Sequence, residues 1–191
     1  SFTVVDGDKP LIISCPHSVP QTRSDRIKLA ETRTAIFGCI LNLELDVPLI
    51  FKTKNCKDDA NFDLVCKYKD TLVGYINEHN IKCCVDLHIM KPNSKFDIVL
   101  GVNGNENLCG KVFVKDIVES KFKKAEYKVG VDEVFKASHK GTVSNTVSRV
   151  CNVPAIQIEL CWDIIDTWDK VFNITELLNE CLEEILSRLE E

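Results

Sequence analysis

The sequence predicts an α/β protein with three layers, in which helices cover both faces of a mixed, mostly parallel β-sheet. Two observations support this fold class. Short apolar runs typical of buried strands alternate with longer segments whose apolar residues recur every three or four positions, which is helical spacing. Such alternation is typical of parallel sheets. The chain has 191 residues, 45% of them hydrophobic, and neither a repeat nor a linker-like tract divides it, so we expect one domain over residues 1–191.

The predicted elements follow one another in a regular order. Apolar runs predict six strands, over residues 10–15, 47–52, 82–88, 96–102, 127–131 and 155–160. Helical spacing predicts four helices, over residues 25–45, 61–78, 107–124 and 138–149. Each of these helices is expected to cross over between two strands. The last segment, 174–189, predicts an amphipathic helix that closes the fold, with Asn173 or Thr175 near its N-cap.

Composition and charge argue against several classes of function. The net charge is −5 and acidic and basic residues are interspersed, so no basic stripe is present to bind nucleic acid. The apolar runs are far shorter than the ~18 residues of a membrane-spanning helix, and no secretory signal pattern is visible after Ser1. Several of the ten cysteines lie inside apolar runs and none has CxxC spacing, which favours buried free thiols in a reducing cytoplasm.

Polar residues mark three predicted strands near the ends where open α/β sheets bind their ligands. His17 follows the first strand, His88 ends the third, and Glu159 lies within the last. Neutral imidazole is a favoured zinc ligand, and a catalytic zinc site typically takes three protein groups and leaves one position for water. One histidine alone is more often a structural residue, but two at strand ends indicate a metal site. Asp86 shares a strand face with His88, where it would orient the imidazole or, alternatively, cap the following turn.

Five stretches of the sequence carry a resemblance to a known family. They are residues 13–18 (ISCPHS), 28–34 (KLAETRT), 58–63 (DDANFD), 85–88 (VDLH) and 155–159 (AIQIE). In this order and spacing, over most of residues 10–162, the sequence resembles the N-formylglutamate amidohydrolase-like family. The resemblance implies a carboxypeptidase-like (phosphorylase/hydrolase-like) α/β fold in which His17, Glu31 and His88 hold a zinc ion. From the residues alone, an exposed acid at a helix start, favoured by the helix dipole, is the alternative for Glu31.

The resemblance also implies that Glu159 is the catalytic carboxylate of an amide hydrolysis. A zinc ion would acidify water and polarise the scissile carbonyl, and Glu159 would carry the proton from water to the leaving nitrogen. An unpaired carboxylate between Ile158 and Leu160 would be costly to bury. We therefore expect Glu159 to face a polar cavity together with Gln157, where its pKa can be tuned.

The substrates of this family imply an amide, in an N-acyl amino acid or a small peptide, that also carries a carboxylate. Arginine binds carboxylates through two parallel hydrogen bonds, which makes Arg33 and Arg149 candidates for this contact. Arg23 is a weaker candidate because its neighbours form a polar loop. Asn61 would touch substrate or cap the helix that it begins, and His139 would be a transition-state donor on a loop over the site.

The sequence departs from formylglutamate deformylases in one visible place. Residues 17–20 (HSVP) replace the His-Ala-Gly type of turn expected in those enzymes, and the chain is shorter than expected for them. The resemblance therefore does not identify formylglutamate as the substrate. Two other functions fit the same residues, namely a metal-binding protein without turnover and a metal-free α/β interaction module.

Overall fold

The computed structural model describes residues 1–190, and strands and helices alternate along them. The strands are β1 (Phe2–Val5), β2 (Leu11–Cys15), β3 (Gln21–Arg23), β4 (Arg26–Lys28), β5 (Leu49–Lys52), β6 (Cys83–Met90), β7 (Ile98–Gly101), β8 (Val129–Val131) and β9 (Ala155–Cys161). The helices are α1 (Arg33–Leu45), α2 (Lys67–Glu78), α3 (Phe113–Lys124), α4 (Val143–Cys151) and α5 (Trp168–Glu190). Short 3-10 helices cover Glu106–Leu108 and Trp162–Ile164.

Seven strands form the main sheet in the order β1-β5-β2-β6-β9-β7-β8, and β3 and β4 form a separate antiparallel pair. The neighbouring strands β5, β2, β6 and β9 run parallel to one another. At one edge β1 is antiparallel to β5, and on the other side β7 is antiparallel to β9 and parallel to the edge strand β8. The sheet is mixed and mostly parallel, which confirms the predicted fold class.

Helices cover both faces of this sheet. Helices α1, α3 and α5 pack on one face, over strand residues such as Ile13, Val85 and Ile158. Helices α2 and α4 pack on the other, over Ile12 and Cys84. Successive strand residues point to opposite faces, so neighbours such as Ile12 and Ile13 belong to different cores. Two apolar cores, one on each side, therefore hold the sheet in the middle of three layers.

Helix α4 is positioned by its caps and by one glycine. Thr142 precedes the helix, and its hydroxyl accepts a hydrogen bond from the Asn145 backbone N–H at 3.4 Å. Asn152 ends the helix in the left-handed conformation, with φ 53°. A Cβ atom at Gly141 would overlap the carbonyl oxygen of Phe62, so only glycine fits where these two segments cross. This crossing brings the start of α4 close to the segment before α2.

The predicted strands agree with the structure better than the predicted helix starts do. All six predicted strands exist, but β1 and the β3–β4 pair are additional. The four internal helices begin at Arg33, Lys67, Phe113 and Val143, later than predicted. Residues ahead of them form the β3–β4 pair and loops that connect the strands to the helices. Apolar spacing in those short segments resembles helical spacing but reflects contacts with the rest of the fold.

The start of the last helix was also predicted wrongly. Helix α5 begins at Trp168, so Asn173 and Thr175 lie inside it. The Thr175 hydroxyl donates to the Val171 carbonyl oxygen at 2.7 Å, one turn earlier in the same helix. A hydroxyl that bonds back within a helix and one that caps its start are alike in sequence.

Within residues 1–190, no helix is both long and apolar enough to cross a membrane. All ten cysteines are free thiols, and six of them are buried: Cys15, Cys66, Cys83, Cys84, Cys161 and Cys181. Burial raises the pKa of the Cys83 thiol to about 12, which keeps it protonated and unreactive.

Candidate metal centre and active site

A strip of polar side chains crosses the sheet on the face covered by α2 and α4. In the parallel register of β6 and β9, Asp86 lies beside Gln157 and His88 beside Glu159. Alternate residues of a strand share a face, so these four side chains point the same way. All four are buried, between the apolar residues of the core and the carboxyl end of the sheet. Burial of so many polar groups is costly unless they form hydrogen bonds with one another or bind a ligand.

His17, Glu31 and His88 converge at the end of this strip. The Nδ1 atoms of His17 and His88 are 3.1 Å apart. One carboxylate oxygen of Glu31 lies 3.1 Å from the Nδ1 of His17, and the other lies 3.0 Å from the Nδ1 of His88. All three side chains are buried. Glu31 is held in place because its backbone N–H donates to the His17 carbonyl oxygen at 2.8 Å, and its carboxylate accepts from the Ile89 N–H at 3.0 Å.

The chemistry of this donor set fits a metal ion. Ligand bonds of about 2.0–2.2 Å in a tetrahedral zinc site place the donor atoms roughly 3.3–3.6 Å from one another, within a few tenths of an ångström of the separations seen here. Two imidazole nitrogens and a carboxylate that face one point also create a negative potential there, which favours a bound cation. Within residues 1–190, no other group of three or more His, Cys, Asp or Glu side chains has all its donor atoms within 4.8 Å of one another.

Each imidazole is oriented by a second carboxylate on its far side. The Nε2 of His17 lies 2.8 Å from an oxygen of Asp59, and the Nε2 of His88 lies 3.0 Å from an oxygen of Asp86. An ionised carboxylate can only accept, so both Nε2 atoms carry the proton and both Nδ1 atoms face Glu31. Asp86 also accepts from the Ser14 hydroxyl at 2.9 Å. Asp86 thus contacts the imidazole that it was expected to orient.

The sequence did not single out Asp59, although the residue lies inside the DDANFD stretch. Asp59 is fully buried, and its second oxygen accepts from the Nε of Arg23 at 2.7 Å. Burial would raise the pKa of Asp59, but the hydrogen bonds and charges of His17 and Arg23 outweigh it and hold this pKa well below its ordinary value. Two adjacent aspartates in a polar loop were the only signal, and the contact of Asp59 with a histidine 42 positions away needs the fold.

The charges within the cluster are strongly linked. Burial would lower the pKa of His88, but the carboxylates of Asp86 and Glu31 raise it well above its ordinary value. Burial would likewise raise the pKa of Glu31, but His88 and His17 lower it. The ammonium of Lys28 also lies at the site: its Nζ is 2.7 Å from the Nδ1 of His17, and it donates to Glu31. A protonated imidazole and an ammonium therefore balance the carboxylates where a metal would bind, and Lys28 is a further residue that the sequence did not indicate.

Glu159 lies next to this cluster with an altered acidity. Burial, together with the negative charge of Glu31, raises the pKa of Glu159 to about 7. Its carboxylate accepts from the Nε2 of Gln157 at 3.0 Å, and its side chain is only 6% exposed. A carboxylate with a pKa near neutrality can both accept and release a proton, which is what a general base that later acts as an acid requires.

Two cavities meet at Glu159. The larger has a volume of about 830 Å³ and extends past Glu31 toward the loop after β6. The smaller, of about 450 Å³, extends past His17 toward the loop before α4. Lys28 also lines both of them. Glu31 lines the larger cavity, His17 and Gln157 line the smaller one, and Glu159 and Lys28 join the two into one cleft.

Two of the predicted substrate contacts lie at the smaller cavity. Asn61 lines it, but its side chain is fully engaged: the Nδ2 donates to Gln157 at 3.1 Å and the Oδ1 accepts from the Val143 N–H at 2.7 Å. Asn61 therefore caps the start of α4, and not a helix that it begins. His139 lines the same cavity on its loop, with its ring stacked on Phe62 at a centroid distance of 5.1 Å.

Of the three candidate arginines, Arg33 and Arg149 lie away from both cavities and the weaker candidate, Arg23, lines one of them. Arg33 is not among the residues that line either cavity, since its guanidinium lies over the ring of Trp162 at 4.4 Å and donates to the Asp166 carbonyl oxygen at 3.0 Å. Arg149 is exposed in the last turn of α4. Arg23, the weaker candidate, lines the smaller cavity, with its guanidinium over Phe62 at 4.6 Å. The hairpin that places Arg23 there was not predicted, which is why its polar surroundings suggested a loop.

No protein-family model matches the sequence, and no curated protein has a similar one. The fold, in contrast, is shared with solved structures. A gene product from Agrobacterium tumefaciens superposes with a TM-score of 0.71 at 11% identity, over 100% of this chain and 96% of that one. A bacteriophage poly-gamma-glutamate hydrolase gives 0.66 at 12% identity, over 98% and 89%. N-formylglutamate amidohydrolase from Ralstonia eutropha gives 0.64 at 13% identity, over 99% and 98%. The resemblance found in the sequence is thus confirmed at the level of the fold.

Proposed function

We propose that this protein is a zinc-dependent hydrolase that cleaves an amide bond. The observation that carries the proposal is the buried convergence of His17, Glu31 and His88, with donor atoms 3.0–3.1 Å apart, beside the carboxylate of Glu159 in one cleft. Among proteins of this fold are a poly-gamma-glutamate hydrolase and an N-formylglutamate amidohydrolase, both of which act on amides of glutamate by name. The same geometry gives each of these four residues a role in amide hydrolysis.

The metal would be held by the Nδ1 atoms of His17 and His88 and by the carboxylate of Glu31. Two imidazoles and one carboxylate are a donor set that suits zinc, although it discriminates weakly among divalent transition metals. A bound zinc ion supplies a Lewis acid that polarises a carbonyl group and acidifies water. Asp59 and Asp86 keep the imidazoles in the tautomer that presents Nδ1.

Glu159 is the general base in this proposal. It accepts a proton from the attacking water and delivers it to the amide nitrogen that leaves, so that the nitrogen departs as a neutral amine. Its raised pKa matches this shuttling near neutral pH, and the hydrogen bond from Gln157 fixes the direction of the carboxylate.

The substrate is an amide that also carries a carboxylate. Cationic or proton-donating side chains lie around the smaller cavity: Arg23, Lys136 and His139. The Arg23 side chain is 37% exposed, so its guanidinium is accessible although one edge is paired with Asp59. We also place the protein in the cytoplasm, because ten free thiols suit a reducing compartment.

The experiment that tests the proposal compares metal content with turnover. Wild-type protein, Glu159→Gln and the exposed control Glu183→Gln are loaded with zinc, and hydrolysis of N-acyl-L-glutamates and short γ-glutamyl peptides is followed. We expect all three to bind one zinc per chain, and only Glu159→Gln to lose about 10²–10⁴-fold in kcat.

The ligands are tested with His17→Ala and His88→Ala, which should lose stoichiometric zinc. Full activity of Glu159→Gln would overturn the role of this residue. Zinc binding without turnover in the wild type would indicate a metal-binding protein, and a chain that binds no zinc would indicate the metal-free interaction module.

A further inference from the structure

We propose that the larger cavity is a subsite for an extended apolar group of the substrate, so that the chain acts on amides with a long acyl chain or an aromatic acyl group. This inference rests on the proposed function and specifies its substrate class. The other end of such a substrate, its carboxylate, lies in the smaller cavity. A formyl group, which is a single carbon, would leave the larger cavity empty.

The side chains on one face of the sheet change from apolar to polar and back to apolar. On the face that bears Glu159, the strands begin with apolar residues under α2 and α4, continue with the polar strip, and then become apolar again. The second apolar group contains Met90, Val99 and Cys161, all buried, with Phe96 and Phe135 packed against them. Val99 lies directly beside Glu159 in the register of β7 and β9. The apolar surface therefore begins within one strand of the proposed general base.

The walls of the larger cavity are mainly aliphatic and aromatic, and the main apolar contributors are Leu29, Ile89, Met90, Phe96, Val99, Val134, Phe135 and Trp162. Its volume of about 830 Å³ is in the range of roughly 300–1,000 Å³ typical of sites for small organic ligands, which are also lined mostly by apolar side chains. A cavity of this kind suits a hydrocarbon or aromatic group better than a charged one.

Large apolar side chains are exposed at the opening of the larger cavity. Leu29 is 81% exposed and Trp162 is 39% exposed, and both line this cavity but not the smaller one. Large apolar groups together at the mouth of a cleft are typical of a binding surface. Lys95 at the same opening lies with its ammonium 4.7 Å from the ring centroid of Phe96, so it adds charge at the rim and leaves the interior apolar.

The two cavities differ in their charged and apolar side chains. Arg23, Lys136 and His139 line the smaller one. The larger one has mainly apolar walls, and its exposed cations, Lys91 and Lys95, lie on the loop after β6. Since both open at Glu159, an amide bond placed there has its acyl part in the apolar cavity and its carboxylate-bearing part among the cations. The structure thus assigns an orientation to the substrate as well as a class.

The test is a chain-length series of N-formyl-, N-acetyl-, N-hexanoyl- and N-decanoyl-L-glutamate. Binding to zinc-loaded Glu159→Gln is measured by calorimetry, and kcat/KM is measured on the wild type. Each added methylene that enters the cavity should tighten binding by about twofold to fourfold, until the cavity is filled. Leu29→Ser should flatten this dependence. Leu43→Ser, which removes a leucine with 83% exposure on α1, should keep it.

The outcomes separate this inference from the proposed function. Hydrolysis whose kcat/KM does not rise with chain length would overturn the subsite and keep the hydrolase. Binding that tightens with chain length without any hydrolysis would keep the subsite and overturn the hydrolase. Equal flattening by Leu29→Ser and Leu43→Ser would also overturn the subsite, since the effect would then not come from the cavity.

Discussion

Replacement of Asp59 by asparagine should weaken zinc binding without any change in the ligands themselves. One oxygen of Asp59 accepts from the Nε2 of His17 at 2.8 Å and from the Asn61 N–H at 3.0 Å, and the other accepts from the Nε of Arg23 at 2.7 Å. Asparagine has one acceptor oxygen and one NH₂ group. If the oxygen stays on His17, the NH₂ faces the donor of Arg23; if it turns to Arg23, the NH₂ faces the donor of His17. In either arrangement two N–H donors face each other at a fully buried position, and neither has an acceptor.

The magnitude follows from the role of such a carboxylate. The depressed pKa of Asp59 keeps it charged at neutral pH, so the substitution removes a full negative charge behind the imidazole of His17. Loss of a carboxylate that orients a metal-bound histidine typically costs 10–100-fold in affinity, or about 1.4–2.8 kcal/mol. We therefore expect the Kd for zinc of Asp59→Asn to rise by this factor.

The assay is a competition titration of zinc against a chromophoric chelator at pH 7.5. The matched control is Asp58→Asn, the same change one residue earlier, where the carboxylate pairs with Lys52. The control should keep its zinc affinity within about twofold. Unchanged affinity in Asp59→Asn, or an equal loss in both variants, would refute the reasoning from the His17 contact.

The same cluster leads us to expect three further results. Lys28→Met should tighten zinc binding by roughly threefold to tenfold in the chelator titration, because zinc then no longer has to displace a partly exposed ammonium from Glu31. The control Lys124→Met, at an exposed site on α3, should show no change. Hydrolysis should fall as the pH drops, because Glu159 must be ionised to act as a base, and the pH profile should place its pKa below 7 in the zinc form, since a cation lowers the value of about 7. Asp59→Asn should unfold at a lower urea concentration than the wild type at pH 7. This difference in stability should narrow below about pH 4, where Asp59 takes up a proton in the unfolded wild-type chain but stays charged in the folded one. A constant gap from pH 7 to pH 3 would contradict the last of these.

Much of the fold follows from local patterns of sequence. The run at residues 82–88 and the run at 155–160 are apolar enough to predict central strands, and β6 and β9 lie side by side in the sheet. Helix starts were predicted less well. Residues 25–32 have some helical spacing but contain β4, which exists because it pairs with β3. Such pairing depends on residues that local periodicity does not reveal.

The candidate site, like the fold, was predicted only in part from the sequence. Strand ends and the resemblance together proposed His17, Glu31 and His88 as one group, and the structure brings their donor atoms together. Their role as zinc ligands stays a prediction. Asp86 was predicted from the sequence to orient His88, and it contacts that imidazole, but Lys28 and Asp59, which lie against His17, were not foreseen. An aspartate in a polar loop or a lysine before a helix has nothing in its own neighbours that distinguishes it from a solvated surface residue.

The sequence by itself determined the α/β class, the strands of the sheet and the chemical types available at its carboxyl end, because strand and helix periodicities and strand ends are local properties. Only the tertiary structure decided which arginine faces the cleft, which carboxylate orients His17, and that an apolar cavity lies beside Glu159. Those features join segments such as the β3–β4 hairpin, the loop after β6 and the loop before α4. Their meeting depends on how the chain packs in three dimensions, which no local pattern encodes.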